Sequence, residues 1–375
     1  MSGTGETHRR AVNHAADTIM TAPDRTIPRE TIEQMVHAID PNWTLCDHEL
    51  ATGGYLAVYH LSVDTETGTQ RVVLKASPDG DSHGIDTEAR LLRILDAHTS
   101  IPVPTVYGAV DTHDHLSAPF YIMEHVPGRT VERTELDTVS LETLETVART
   151  SGRYLAELHG LDAVDSYGFL TRNPETTLRG EQPPASFDQI VVAEPESSWP
   201  VQVRNWADDA LRKGRDTRFA DLVPELRPVL DEHLDELDGT FEPVLCHIDN
   251  SLENVLHDPE TGEVTAMLDW AFTLAATPAY DLVLIEESLN GGQWQFVPSA
   301  PDNAELIRNA LLDGYSQAGS SDVLDQLEEN RELYELLSRC RSMHLLQMWP
   351  EVKDASPEQV EGAAAAIRTD LESYL

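Results

Sequence analysis

Apolar positions in the first third of the chain fall into short alternating runs, broken by stretches of helical spacing. Thr31 to Ile39, TIEQMVHAI, sets Ile32, Met35, Val36 and Ile39 along one face and predicts a short helix. ATGGYLAVYHLSVDTETGTQRVVLKAS alternates from Leu56 and Val58 onward, turns at ETGTQ and resumes as RVVLKAS, the pattern of a β-hairpin opened by the pair Gly53-Gly54. DTEARLLRILDAH then places Leu91, Leu92 and Leu95 on one helix face. TVYGAV and FYIMEHV flank the polar loop DTHDHLSAP as a second hairpin, which ends at Pro127-Gly128.

Beyond Gly128 the period changes. LETVARTSGRYLAELHGL presents Leu144, Val147, Leu155 and Leu158 on a broad apolar face, and helical spacing recurs over 203–213, 218–237, 303–316 and 323–347. One further hairpin is expected where apolar runs at Val255-Leu256 and Val264 to Leu268 enclose the turn-like HDPETGE. The fold class this predicts is α+β. A small antiparallel-sheet lobe with one long helix spans 28–127, a larger and mostly helical lobe spans 128–375, and residues 1–27 form a polar extension without a strong period.

Charge narrows the possible partners. The chain of 375 residues carries 66 acidic against 26 basic residues, a formal net charge of −40, and its lysines are Lys75, Lys213 and Lys353 alone. A nucleic-acid binder needs a basic footprint to release counterions from phosphates, so no nucleic-acid partner is expected. Two explanations of the acidity compete, an acidic site for a cationic substrate and a surface solvated in concentrated salt, where self-repulsion is screened; the spread of the acids along the chain favours the second. This lysine-poor composition resembles that of proteins from extreme halophiles. Cys46, Cys246 and Cys340 are too few and too far apart for a disulfide framework, and no window approaches the ~20 apolar residues that cross a bilayer, so a cytoplasmic protein without a membrane partner is expected.

Candidate chemistry concentrates in LCHIDNSLENVLHD, Leu245 to Asp258, and the VTAMLDWAF that follows. Folded as a hairpin, this segment brings Asp249 and Asn254 to its leading end and Asp269 to its trailing end. Hard oxygen ligands beside a carboxylate suit magnesium, which completes its shell with water and substrate phosphates. In phosphoryl transfer a further carboxylate accepts the proton of the attacking hydroxyl, which leaves Asn254 and Asp269 for the metal and Asp249 as the base. Zinc fits less well, because His247 and Asp249 have no second His or Cys at a customary spacing. Lys75 ends an apolar strand, where a lysine must find negative partners or lose its proton; Glu88, on the sheet-facing side of the next helix, is a candidate partner. Gly53 and Gly54 precede a strand as a loop whose N–H groups could cover phosphates, and backbone groups near Glu124 and Val126 could bind adenine at a hinge.

Taken in order, GGYLAVYHL at 53–61, GRYLAELHGL at 152–161, CHIDNSLENVL at 246–256 and LDWAFTLAATPAYDLV at 268–283 resemble the protein-kinase-like bilobal fold, and within it the aminoglycoside phosphotransferase family. The Asp-Trp pair and PAYDL favour that family over protein kinases, which show Asp-Phe-Gly and Ala-Pro-Glu. The resemblance covers roughly residues 45 to 290. It implies an ATP- and magnesium-dependent transfer to a small-molecule hydroxyl, with a nucleotide-binding lobe at 28–127 and the catalytic loop and acceptor site in 128–375. Asp249 would be the base, Asn254 and Asp269 the magnesium ligands, Lys75 with Glu88 the phosphate-binding pair, His247 a shaper of the loop and Asp281 a structural anchor. The chain departs from the family pattern at Ile248, where glycine is common, and at Ala57, where asparagine is. A β-branched residue resists the left-handed backbone that glycine adopts freely. Two alternatives stay open: a nucleotide-binding module without phosphotransfer, and a kinase acting on proteins.

Overall fold

A computed structural model describes residues 24–375 except Gly53, Tyr55, Asp238, Lys353 and Asp354. Most of the expected extension over 1–27, and Gly53 of the glycine pair, lie outside the described residues. The chain divides into two compact units. One takes the chain up to Pro127 together with Leu170–Val191 and Ala266–Phe272, and the other takes Gly128–Phe169, Val192–Thr265 and Thr273–Leu375.

Alternating side chains build the first unit. Strands β1 (Thr44–Leu50), β2 (Ala57–Thr65), β3 (Gly68–Ala76), β4 (Val106–Val110) and β5 (Phe120–Glu124) form one antiparallel sheet in the order β1-β2-β3-β5-β4. Tyr59, Leu61 and Val63 of β2 and Val72, Leu74 and Ala76 of β3 fill the core beneath helix α1 (Arg29–Ile39), which contributes Ile32, Met35 and Val36. Because strand side chains alternate, Val73 and Lys75 face the other side of the sheet. The β2–β3 turn is Glu66-Thr67, closed by Thr65 opposite Gly68, so GTQ belongs to the strand and not to the turn. Strand β1 was not expected. It is an edge strand bulged between Leu45 and Asp47, and its burial alternates too irregularly to show in the sequence.

Helix α2 (Ile85–His98) buries Leu91, Leu92 and Leu95 as their spacing requires, and its first turns bury Asp86, Thr87, Glu88 and Arg90 as well. Gly84 caps it at φ +80, and a Cβ there would meet the Ala271 carbonyl oxygen at 2.2 Å, so only glycine lets the Ala266–Phe272 segment approach the helix start. Arg90 makes a bidentate pair with Asp111 at 2.9 and 2.7 Å, and Asp111 also accepts the Leu178 N–H at 2.7 Å. Both side chains are fully enclosed. Arg90→Ala leaves a buried carboxylate without its counter-ion and is expected to cost about 3–5 kcal/mol of stability, measurable as a lower urea midpoint in KCl.

The second unit is helical as expected, but short strands run through the region beyond Pro127 where only one hairpin was foreseen. β6 (Gly168–Arg172), β7 (Ile190–Val192), β8 (Val244–Cys246), β9 (Val255–His257), β10 (Val264–Met267) and β11 (Leu274–Ala276) are three to five residues long, too short to show a period. β9 and β10 form the foreseen hairpin, while β11 pairs antiparallel with β6 and β8. The helices are α3 (Leu141–His159), α4 (Trp199–Gly214), α5 (Val223–Glu236), α6 (Pro278–Leu289), α7 (Ala304–Ser316), α8 (Ser321–Leu345), α9 (Trp349–Val352) and α10 (Pro357–Glu372). Two starts differ from expectation because proline fixes them: Pro200 draws α4 back to Trp199, and Pro224 delays α5 to Val223. The GAAAA tract lies inside α10. Helix α6 is buried nearly all round, which is why it shows no amphipathic period. Among the described residues no helix is long and apolar enough to cross a membrane.

Candidate active site

In the first unit three predicted residues meet. Lys75 Nζ lies 2.7 Å from Glu88 Oε2 and 3.0 Å from Asp269 Oδ1, with Lys75 only 7% and Glu88 2% exposed. Glu88 Oε1 accepts the Trp270 backbone N–H at 3.2 Å, so one carboxylate fixes both the lysine and the chain next to Asp269. Asp269 stands at φ 58, a left-handed conformation that aspartate tolerates, and its side chain is 41% exposed. Tyr121, opposite Lys75 in the β3–β5 register, is buried against Glu88, and that burial raises its phenol well above the ordinary pKa.

Burial alone would lower the Lys75 pKa, but Asp269 and Glu88 outweigh it and hold the ammonium above its ordinary value of 10.5. The folded pKa exceeds the unfolded one, so the stability this cluster adds is complete below pH 10.5 and is lost as pH rises through the folded pKa. Urea unfolding from pH 8 to 11.5 should show a decline at the alkaline end that Lys75→Met lacks.

In the second unit β8 delivers the chain into the loop that carries Asp249. Asp281, fully buried near the start of α6, holds that loop by its backbone: its oxygens accept the N–H of His247 at 3.2 Å and of Ile248 at 2.9 Å. His159 Nε2, from the end of α3, lies 2.9 Å from the same carboxylate. Ser288 Oγ reaches the Ile248 carbonyl at 3.4 Å. Ile248 is held at φ 59, the left-handed region a β-branched residue resists, so the loop has the backbone that glycine would adopt. Asp249 is exposed, its N–H bonded to His247 O at 2.8 Å, and Asn254 Nδ2 donates to Asp249 O at 3.0 Å. Next to Asp249, Asn250 is wholly buried and donates to Ser151 Oγ at 2.9 Å.

With its amide nitrogen turned to Asp249 O, Asn254 has its carbonyl oxygen left to offer, and in the first unit Asp269 keeps a part-exposed carboxylate; each by itself is a hard oxygen donor of the kind magnesium takes. Glu124 ends β5 and Val126 follows it, both half-buried; Glu124 N–H donates to Thr105 O at 2.8 Å. Ala57 is buried opposite Ala76. Gly54 stands at φ +76 with open space where a side chain would be.

The model of the phosphotransferase enzyme family, APH, matches residues 48–329. The chain belongs to this family. Solved structures show the same kinase-like fold. A Ralstonia eutropha protein provisionally named an aminoglycoside phosphotransferase superposes with a TM-score of 0.59 at 18% identity, covering 93% of this chain and 98% of that one. APH(4)-Ia in ternary complex with AMP-PNP and hygromycin B superposes at 0.55 with 15% identity, covering 90% and 98%. Among curated proteins, acyl-CoA dehydrogenase family member 10 of Mus musculus is 26% identical over 221 residues, 57% of this chain. The chain spans 18% of that relative's length. As a phosphotransferase family member the chain has features that sequence reasoning missed. His159, Tyr121 and the Asn250–Ser151 bond were given no role. The β3–β5 register would have marked Tyr121, and the His at the end of AELH could have been paired with the aspartate of PAYDL.

Proposed function

We propose that this protein is an ATP- and magnesium-dependent kinase that transfers the γ-phosphoryl group to a hydroxyl of a small molecule. The observation that carries the reading is the Lys75–Glu88–Asp269 cluster, with Lys75 and Glu88 buried, which joins residues 194 apart in sequence around the only lysine of the first unit's sheet. So costly a burial of charge is expected where a function requires it.

In this reading residues 28–127 bind the nucleotide and 128–375 supply the catalytic loop and the acceptor site. Lys75, held by Glu88, takes the phosphates, Gly53 and Gly54 cover them, and backbone groups near Glu124 and Val126 receive adenine. Asn254 and Asp269 would hold magnesium, which would supply positive charge to offset that of the transferred group. Asp249 accepts the proton of the attacking hydroxyl; the loop's backbone is set by the bonds that Asp281 accepts from His247 and Ile248 N–H and the one that Asn254 donates to Asp249 O. Support for a nucleotide and a small acceptor comes from the complexes in which similar structures were solved, AMP-PNP with hygromycin B among them. The cytoplasm fits a user of ATP.

An ADP-release screen in molar KCl tests the reading, with aminoglycosides, amino alcohols, hydroxy acids and, given the mouse relative's name, hydroxylated acyl thioesters as acceptors. Release that depends on magnesium and on one acceptor class is expected. Nucleotide binding without acceptor-dependent release would favour a binding module instead.

A further inference from the structure

With 66 acids against 26 bases, this chain has carboxylates to spare for its arginines. From Arg93 to Arg368 the half-buried arginines meet them: Arg133 reaches Glu253, Arg172 reaches Asp86, Arg331 reaches Glu286 and Arg339 reaches Glu287. Arg341, half-buried on α8, is the exception. Its Nη1 donates to the phenol oxygen of Tyr280 at 3.2 Å, and among the described residues no carboxylate stands within 4 Å of it. The nearby acid Glu287 is already taken by Arg339 Nη1 and Ser338 Oγ, each at 2.5 Å. A neutral phenol uses one of the five guanidinium N–H groups and leaves the charge uncompensated, an unfavourable state for a half-buried cation.

A second unmatched donor accompanies it. Trp206, half-buried on α4, stacks on Tyr280 with ring centroids 5.4 Å apart, and its indole N–H has no hydrogen-bond partner among the described residues. The neighbouring Trp199 shows the contrast, its indole N–H donating to Tyr334 Oη at 2.9 Å. Tyr280 immediately precedes Asp281, whose carboxylate holds the backbone at His247 and Ile248. Tyr280 therefore touches both Arg341 and Trp206, and the residue after it holds the loop of Asp249.

We propose that Arg341 and the indole N–H of Trp206 form an oxyanion subsite for the acceptor, so that the molecule phosphorylated carries a carboxylate or phosphate group beside an apolar segment that lies on the half-buried Trp206 ring. This rests on the kinase reading above and narrows its substrate class. The guanidinium fork matches an oxyanion's two oxygens, whereas a polyamine would be repelled by it.

Ligand-observed NMR with butyrate, butyl phosphate and butyramide tests the subsite without requiring turnover. Wild type should bind at least one of the two anions at least tenfold more tightly than butyramide, and the tighter anion names the oxyanion. Arg341→Gln should abolish that preference with ATP affinity unchanged, Arg341→Lys should keep part of it, and Trp206→Phe should weaken anion binding several-fold. Unchanged ATP binding also shows that the variants fold. Equal binding of anion and amide by wild type, or an anion preference that survives Arg341→Gln, would overturn the proposal. Asp249→Asn should bind the anion as wild type does, so a failed kinase reading shows as missing ADP release and a failed subsite as missing anion preference.

Discussion

Asp249→Asn is expected to lower kcat by about 10³-fold while leaving nucleotide affinity within about twofold. A positioned general base contributes typically 10²–10⁴-fold, and an amide of the same shape cannot accept the proton. Two bonds that shape the loop run through backbone atoms and survive the exchange: Asp249 N–H to His247 O, and Asn254 Nδ2 to Asp249 O. Steady-state turnover with a responsive acceptor, alongside calorimetric ATP binding, separates the two effects. An equal loss of turnover and nucleotide affinity would mean that Asp249 holds the site together and does not act on the proton.

Asp281→Ala is expected to be the most damaging substitution to the loop itself. It removes the acceptor for two backbone N–H groups and for His159 at a position with no solvent access, and it leaves Ile248 in a left-handed conformation with its principal restraint gone. A loss of about 3–5 kcal/mol is expected from the unpaired buried groups, with kcat falling at least 10²-fold even in urea-free solution. Ile248→Gly is the informative companion. Because the loop already has a glycine-like backbone, that variant should keep kcat within about threefold of wild type, measured by the same assay. A collapse of activity in Ile248→Gly would show that the isoleucine side chain, and not the Asp281 bonds, sets the loop.

Long periodic elements and charged residues in apolar surroundings were legible in the sequence. Lys75 and Glu88 stood out because a lysine in an apolar strand and an acid on a helix face turned to the sheet both need partners, and the ion pair at 2.7 Å supplies them. The hairpin pattern groups Asp269 with Asp249 and Asn254, yet its carboxylate also accepts from Lys75, 194 residues away, a contact that no local pattern encodes. Strands β6 to β8 and β11 were hidden by their brevity, and β1 by its bulge. Ile248 was flagged as a departure that could alter the backbone. What the sequence does not carry is the compensation, two backbone N–H groups donating to the carboxylate of a residue 33 and 34 positions further on. Arg341 was invisible for a similar reason: an arginine on a helix looks like every other arginine until its neighbours are known.

The most direct test of the central claim is a ³¹P NMR time course of ATP, magnesium and an acceptor from the screen in molar KCl. The account predicts that wild type depletes the γ-phosphate signal and builds a phosphomonoester signal in step with ADP, and that Asp249→Asn does neither. Release of inorganic phosphate alone, or a phosphomonoester formed equally well by Asp249→Asn, would contradict it.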